Sequence, residues 1–292
     1  MRTGSHGGVA VVGGAGFLGS ALARSLEGPD VHLYTRSRPV LASGSLPAEL
    51  DTVSTVVWAV SQVNPQVAEE RPDLVAEDEH HLLSFLRALD DHGLSPRTVL
   101  LSSGGTVYGN HGAPFAETTP TRPASAYGRA KVRLEQVLAD HAACPTVVRV
   151  ANAYGPGQPA GPGQGVLAHW LRAVAAGRPV TVFGDLGTAR DYVAVQDVVA
   201  ALLRLHQHTG ALPVVNVGSG RATTLGELLD VVRDVTGTPD LAVRHEPARG
   251  FDVPATWLDV GLAREVLGWE PRTSLRSGVA ATWEWLAASV AR

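Results

Sequence analysis

The chain has 292 residues, 45% of them hydrophobic, 18% charged, with a formal net charge of −4, which suits one large or two intimate domains and, without a basic run, argues against a nucleic-acid partner. A single cysteine, Cys144, excludes an internal disulfide, and no apolar run reaches the ~18 residues of a membrane span. The opening MRTGSHGG holds no secretory apolar region, so a cytoplasmic protein with no membrane partner is expected.

Val9–Val12 is a short apolar run, the mark of a buried parallel strand. GGAGFLGSALARSLEG follows at once, with Gly13, Gly16 and Gly19 spaced by three and a helix over Ser20–Leu26. A tight glycine turn between strand and helix lets backbone N–H groups approach a pyrophosphate, so Gly13, Gly16, Phe17, Leu18 and Gly19 are expected to bind a dinucleotide. The second strand is Val31–Tyr34. Where an NAD-binding unit usually places a carboxylate for the ribose 2′-hydroxyl, this chain reads Thr35, Arg36, Ser37, Arg38. A guanidinium matches a 2′-phosphate, so NADP is expected, with NAD as the alternative.

From Pro39 to Ser54 a full strand–helix–strand passage barely fits, and a truncated unit is expected before the strand Thr55–Val60. Pro72–Gly93 holds an amphipathic helix whose apolar face carries Leu82, Leu83, Phe85, Leu86 and Leu89. His80 and His81 point about 100° apart on it, a poor arrangement for one metal, and no metal site is expected. The strand Thr98–Leu101 runs into SSGGTVYGN, where open sheets bind ligands, so Ser102, Ser103 and Thr106 are candidate hydroxyl donors to a substrate oxygen.

Ser125 is a plausible N-cap for a helix running to Cys144, and Tyr127 and Lys131 on it share one face, one turn apart. An ammonium so placed favours the phenolate, making Tyr127 a candidate proton donor and acceptor for a carbinol/carbonyl pair. Thr146–Val150 is a strand, and ANAYGPGQPAGPGQG after it is a long loop that marks the change to a smaller C-terminal half. A helix over Val166–Gly177, a strand with a Gly-Asp turn, Arg190-Asp191-Tyr192, the strand Val214–Val217 and a helix Leu225–Thr236 capped by Thr224 come next. PARGFDVPATWLD reads as loop, and helices near Gly261–Leu267 and Leu275–Val290 close the chain.

The glycine turn, SSGGTVYG, Tyr127-x-x-x-Lys131, RVANAYGPGQ, RDYVAVQDV, NVGSG and LGWEP occur in an order and spacing that resembles the extended short-chain dehydrogenase/reductases, specifically the NAD-dependent epimerase/dehydratase family acting on nucleotide sugars. The resemblance covers essentially the whole chain. It implies an α/β fold: a Rossmann-type doubly wound parallel sheet with a smaller C-terminal α/β substrate domain. The division would be residues 1–155, plus part of 180–220, for the cofactor and an interleaved 156–292 for a nucleoside-diphosphate sugar. It further implies that Tyr127 is the acid/base, that Lys131 bonds the nicotinamide ribose, that Asn152 touches substrate, and that Arg190 and Arg249 hold its diphosphate. A homodimer is expected.

Three departures stand out. Gly104 falls where the family usually has Ser or Thr, leaving Thr106 or Ser103 as hydroxyl partner of Tyr127, or none. The Asn common on the preceding helix is replaced around Asp78-Glu79-His80, and Arg36 and Arg38 stand where many epimerases have an acid. Dehydratases resembling this family carry Asp-Glu where this chain has Gly104-Gly105, which argues against 4,6-dehydration. The expected activity is an NADPH-consuming 4-ketoreductase of a nucleoside-diphosphate 4-keto (deoxy)hexose; the alternative is a 4-epimerase that retains NAD. Gly104 also motivates a third reading, a cofactor-sensing protein without chemistry.

Overall fold

The computed structural model describes residues 7–26, 28–42, 44–110, 112–159, 165–248 and 253–290. Six parallel strands form the central sheet: β1 (Gly8–Val12), β2 (Val31–Tyr34), β3 (Val53–Trp58), β4 (Arg97–Ser103), β5 (Cys144–Val150) and, after further elements, β10 (Val214–Val217). Their order in space is β10-β5-β4-β3-β1-β2, so the winding reverses direction at β1, where β2 lies on one side and β3 on the other. A doubly wound sheet opens a crevice at the carboxyl ends of the strands flanking that reversal.

Strand side chains alternate, and the core divides accordingly. Val9 and Val11 of β1 pack with α1 (Phe17–Ser25) and α6 (Val195–Gln207) on one face. Ala10 and Val12 pack with α3 (Pro72–Asp91) and α4 (Ala126–His141) on the other, where Trp58 meets Phe85 at 5.1 Å. Both faces are covered, which is why these strands read as continuous apolar runs.

Between residues 39 and 52 the described residues hold only a short 3-10 helix, Ala48–Thr52, so the expected truncation is present. The sequence reading missed α2 (Pro65–Glu70), although its signal was local. Asn64 caps it by accepting from the N–H groups of Gln66 and Val67, and Pro65 occupies the first turn. The stretch after β5 is not loop throughout: β6 (Asn152–Tyr154) pairs in parallel with β9 (Tyr192–Ala194).

The C-terminal half has its own core around Trp170, Val180, Val182, Leu228 and Val232. It comprises α5 (Val166–Ala175), β7 (Val180–Phe183), β8 (Ala189–Arg190), β11 (Thr223–Thr224), α7 (Leu225–Thr236), β12 (Val243–Glu246), β13 (Ala255–Thr256) and α9 (Leu275–Val290), while α8 (Gly261–Leu267) packs beside β10 on the larger sheet. The Thr224 cap is present in full, with the Glu227 side chain returning to the Thr224 N–H. Among the described residues no helix is long and apolar enough to cross a membrane.

Candidate active site

The glycine turn sits at the reversal of the sheet. Both Gly13 and Gly14 donate their N–H to the Tyr34 carbonyl, at 2.9 and 3.0 Å, which ties the turn to the end of β2. Gly13 has φ +94°, and a Cβ there would lie 2.8 Å from the Ala59 carbonyl carbon. A Cβ on Gly19 would lie 2.2 Å from the Gly13 carbonyl oxygen, so α1 can start this close to the strand only with glycine. The N-cap of α1, Gly16, offers no side-chain cap, and no acidic residue stands in the first turn. Its leading N–H groups thus lack a side-chain acceptor, a fit for an anion such as a pyrophosphate. Phe17 and Leu18 are partly buried against the core, and their apolar side chains offer no polar group, so only their backbone can bind an anion.

Beyond β2 the chain makes a tight turn, with Thr35 and Arg38 exchanging backbone hydrogen bonds and the Thr35 and Ser37 hydroxyls 3.0 Å apart. Arg36 is exposed. Arg38 is not free: its Nη2 donates to Glu49 Oε1 at 2.6 Å, and its guanidinium lies 5.3 Å from the centre of the Tyr34 ring. The absence of a carboxylate from residues 35–38 therefore does not leave the site without one.

Ser125 caps α4 by accepting from the Gly128 N–H at 3.0 Å. Lys131 is buried, with Nζ 5.5 Å from the centre of the half-buried Tyr127 ring. The loop after β4 is seated directly on this helix, since a Cβ at Gly128 would lie 2.6 Å from the Thr106 carbonyl oxygen. A glycine inside a helix costs about 1 kcal/mol against alanine and flags such a close approach, a signal the sequence reading passed over.

A cavity of about 720 Å³ runs from this loop into the C-terminal half, walled by Thr106, Ser125, Asn152, Arg190 and Tyr192 and reaching Trp170 and Phe183. Tyr127 itself is not among the lining residues; Ser125, two positions earlier, is. Among the described residues Thr106 Oγ1, Tyr192 Oη and Gln158 Oε1 are buried without a hydrogen-bond partner, and all three residues line this cavity. Burial pushes the Tyr192 phenol well up, so it remains a neutral donor. Tyr192 was not foreseen. It pairs with Asn152 across β6 and β9, and extended backbone puts it on the same side as Arg190, a period-two signal readable in RDYVAV.

Asp191, between them, is 1% exposed and accepts from the Ser219 N–H and hydroxyl, both at 2.6 Å, and from the N–H groups of Gly220 and Leu258 at 3.2 Å. Its carbonyl receives the Asn152 backbone and side-chain N–H groups at 3.0 and 2.9 Å. Arg190 Nη1 donates to the Val253 and Ala189 carbonyls at 2.7 and 2.9 Å. This one short strand segment thus aims Asn152, Arg190 and Tyr192 at the same space.

The structure places two of the expected residues away from the cavity, and one falls outside the described residues. Ser102 does not line the cavity: it shares the face of Leu100, toward α4, and its hydroxyl donates to Glu135 at 2.5 Å in a buried network. There Arg149 bonds Glu135 through Nε and Nη2, at 3.1 and 2.7 Å, and Tyr108 through Nη1 at 3.0 Å. Burial opposes the charge on Arg149, but the Glu135 carboxylate and Tyr108 hold its pKa above the ordinary range. Ser103, half-buried at the end of β4, does not line the cavity, so Thr106 is the hydroxyl from this loop that the structure brings to it. At Gly104 a Cβ would lie 2.6 Å from Leu258 Cδ1, so that position is filled from the far end of the chain. Arg249 lies outside the described residues.

A parallel doubly wound sheet with a glycine turn at its reversal, and a Tyr–Lys helix beside a cavity of mixed polar and apolar lining, defines a nicotinamide-dinucleotide enzyme of the extended short-chain dehydrogenase/reductase class. Residues 9–218 match the family described as NAD dependent epimerase/dehydratase, and the chain belongs to that family. It is 39% identical over 193 residues to a UDP-glucose 4-epimerase of Mycolicibacterium smegmatis, a stretch that covers 64% of this chain and 61% of that one. It is 30% identical over 315 aligned positions, 94% of each chain, to a dTDP-6-deoxy-L-talose 4-dehydrogenase (NAD(P)+) of Kitasatospora kifunensis. Its fold is similar to that of a UDP-glucose 4-epimerase of Thermotoga maritima solved with UDP-glucose, with a TM-score of 0.83 and 28% identity over 97% of this chain and 99% of that one.

Proposed function

We propose that this enzyme exchanges hydride at C4 of a nucleoside-diphosphate hexose, working as an NADP(H)-dependent 4-ketoreductase of a 4-keto deoxyhexose. The observation that carries the reading is the buried, unpartnered hydroxyl of Thr106, a residue of the cavity wall, in a loop seated on the helix turn that bears Tyr127. A bound nicotinamide supplies the hydride. The residues around it supply the rest. Tyr127 gives a proton to the sugar oxygen as carbonyl becomes carbinol, and Lys131 stabilises the phenolate left behind. Thr106 donates to that same oxygen and fixes its position. Asn152 and Tyr192 hold the sugar, and Arg190, joined by Arg249 on the family pattern, binds the diphosphate. Gly13, Gly16, Phe17, Leu18 and Gly19 hold the cofactor pyrophosphate through backbone, and residues 35–38 face its adenosine ribose. The proposed division of labour is residues 1–155 with part of 180–220 for the cofactor, and the interleaved 156–292 for the nucleotide sugar.

A second reading, 4-epimerisation with retained NAD, is favoured by one observation: the carboxylate of Glu49 occupies Arg38 and reduces the positive charge awaiting a 2′-phosphate. The two readings separate in one assay. Incubating the purified enzyme with a 4-keto nucleotide sugar and NADPH yields a reduced sugar and oxidised cofactor if the first holds. Interconversion of UDP-glucose and UDP-galactose without added cofactor would replace it by the second.

A further inference from the structure

We propose that Glu49 sets the choice between a 2′-phosphate and a 2′-hydroxyl on the cofactor's adenosine ribose, by tying down Arg38 in an ion pair. The inference rests on the reading that the turn after β2 faces that ribose.

Glu49 belongs to the short 3-10 helix that replaces the missing strand–helix unit before β3, and Leu50 anchors that helix with 2% exposure. The truncation thus delivers a carboxylate to the turn in place of the usual acid at the end of β2. Two contacts hold it there, and a third holds its two partners together. Arg38 Nη2 bonds Glu49 Oε1 at 2.6 Å, the Tyr34 hydroxyl donates to the same oxygen at 3.3 Å, and the Arg38 guanidinium lies over the Tyr34 ring at 5.3 Å. Burial first, and then the Glu49 carboxylate, push the Tyr34 phenol up to about 12, so that hydroxyl stays a donor to Glu49.

The consequence follows from charge. Residues 35–38 hold two guanidinium groups, but the pair with Glu49 neutralises one, leaving Arg36 as the net cation of the turn. A 2′-phosphate brought to Arg38 must share that guanidinium with Glu49 and bear the repulsion of its carboxylate. A 2′-hydroxyl meets no such repulsion and can donate to a carboxylate. The side chains are 59% and 31% exposed, so the pair contributes little to folding and can be altered without unfolding the chain.

The test is titration calorimetry of wild type, Glu49→Gln and the Arg36→Ala/Arg38→Ala double variant with NADP, NAD, 2′,5′-ADP and 5′-ADP. Glutamine keeps an acceptor for Tyr34 and removes only the charge. The expected result is a rise of about tenfold in the NADP-to-NAD affinity ratio for Glu49→Gln, the scale of one charge-assisted hydrogen bond gained, mirrored by the two fragments. Glu49→Ala should move the ratio the same way. An unchanged ratio in both Glu49 variants, with a fall in the double variant, would overturn the role of Glu49 and leave the turn's role standing. An equal gain for both cofactors would likewise overturn it. A ratio unmoved in all three variants would remove the reading of the turn, and this inference with it.

Discussion

Gly104 stands where the sequence resemblance leads one to expect a hydroxyl, and a serine placed there should not supply a working one. The Cβ would lie 2.6 Å from Leu258 Cδ1 and 3.0 Å from Cδ2, with the Arg149 carbonyl oxygen 3.2 Å away. Carbon atoms rest comfortably at ~3.5–4.0 Å, so the overlap with Leu258 is about 1 Å. Leu258 is 1% exposed, and Asp191 holds its N–H, so neither side chain nor backbone can retreat into solvent. Overpacking of this kind costs about 1–3 kcal/mol. Urea denaturation of Gly104→Ser should show that loss with an unchanged slope, and turnover should not rise. In a Leu258→Ala background, itself less stable by about 2–5 kcal/mol, the same serine should cost at least ~1 kcal/mol less than in wild type. Equal costs in the two backgrounds would refute the claim that Leu258 fills the space.

Other variants probe the remaining parts of the site. Tyr127→Phe keeps the packing and should lower kcat by ~10²–10⁴ with little change in cofactor affinity, measured by steady-state kinetics beside cofactor titration. Thr106→Val should lower kcat while leaving the KM for the nucleotide sugar nearly unchanged, the pattern expected of a hydroxyl that serves the reacting oxygen rather than general binding; an effect confined to KM would remove it from that oxygen. Arg190→Ala should weaken binding of a bare nucleoside diphosphate by about 1.5–3 kcal/mol in calorimetry, the value of a charge-assisted bond. Glu135→Gln leaves Arg149 buried without its counter-charge and should lower thermal stability by about 3–5 kcal/mol, whereas Glu135→Leu with Arg149→Met should lose much less.

What was legible in the sequence was local. The glycine triplet, the Ser125 and Thr224 caps and the helices Leu225–Thr236, Gly261–Leu267 and Leu275–Val290 carry their signals within a few residues, and the structure places them there. What was not legible depends on partners distant along the chain. The turn 35–38 looks free of acid until Glu49 folds back across eleven positions. The space at Gly104 is closed by Leu258, far downstream. Ser102 and Ser103 read in sequence as hydroxyls at a strand end, yet neither lines the cavity, and strand alternation sends the first toward Glu135 on α4. Tyr192 and Gly128 were within reach, through the alternation of RDYVAV and the cost of a glycine inside a helix.

The central claim is proton-coupled hydride exchange at a sugar carbon, carried out by Tyr127 and Thr106 beside the cavity. The most direct measurement offers the enzyme a 4-keto nucleotide sugar with NADPH deuterated at the transferable position, and reads the product by NMR. Deuterium at C4 of a newly formed carbinol, formed mole for mole with cofactor oxidation and lost in Tyr127→Phe, is the predicted result. No deuterium transfer from NADPH or NADH, together with no interconversion of C4 epimers, would contradict it.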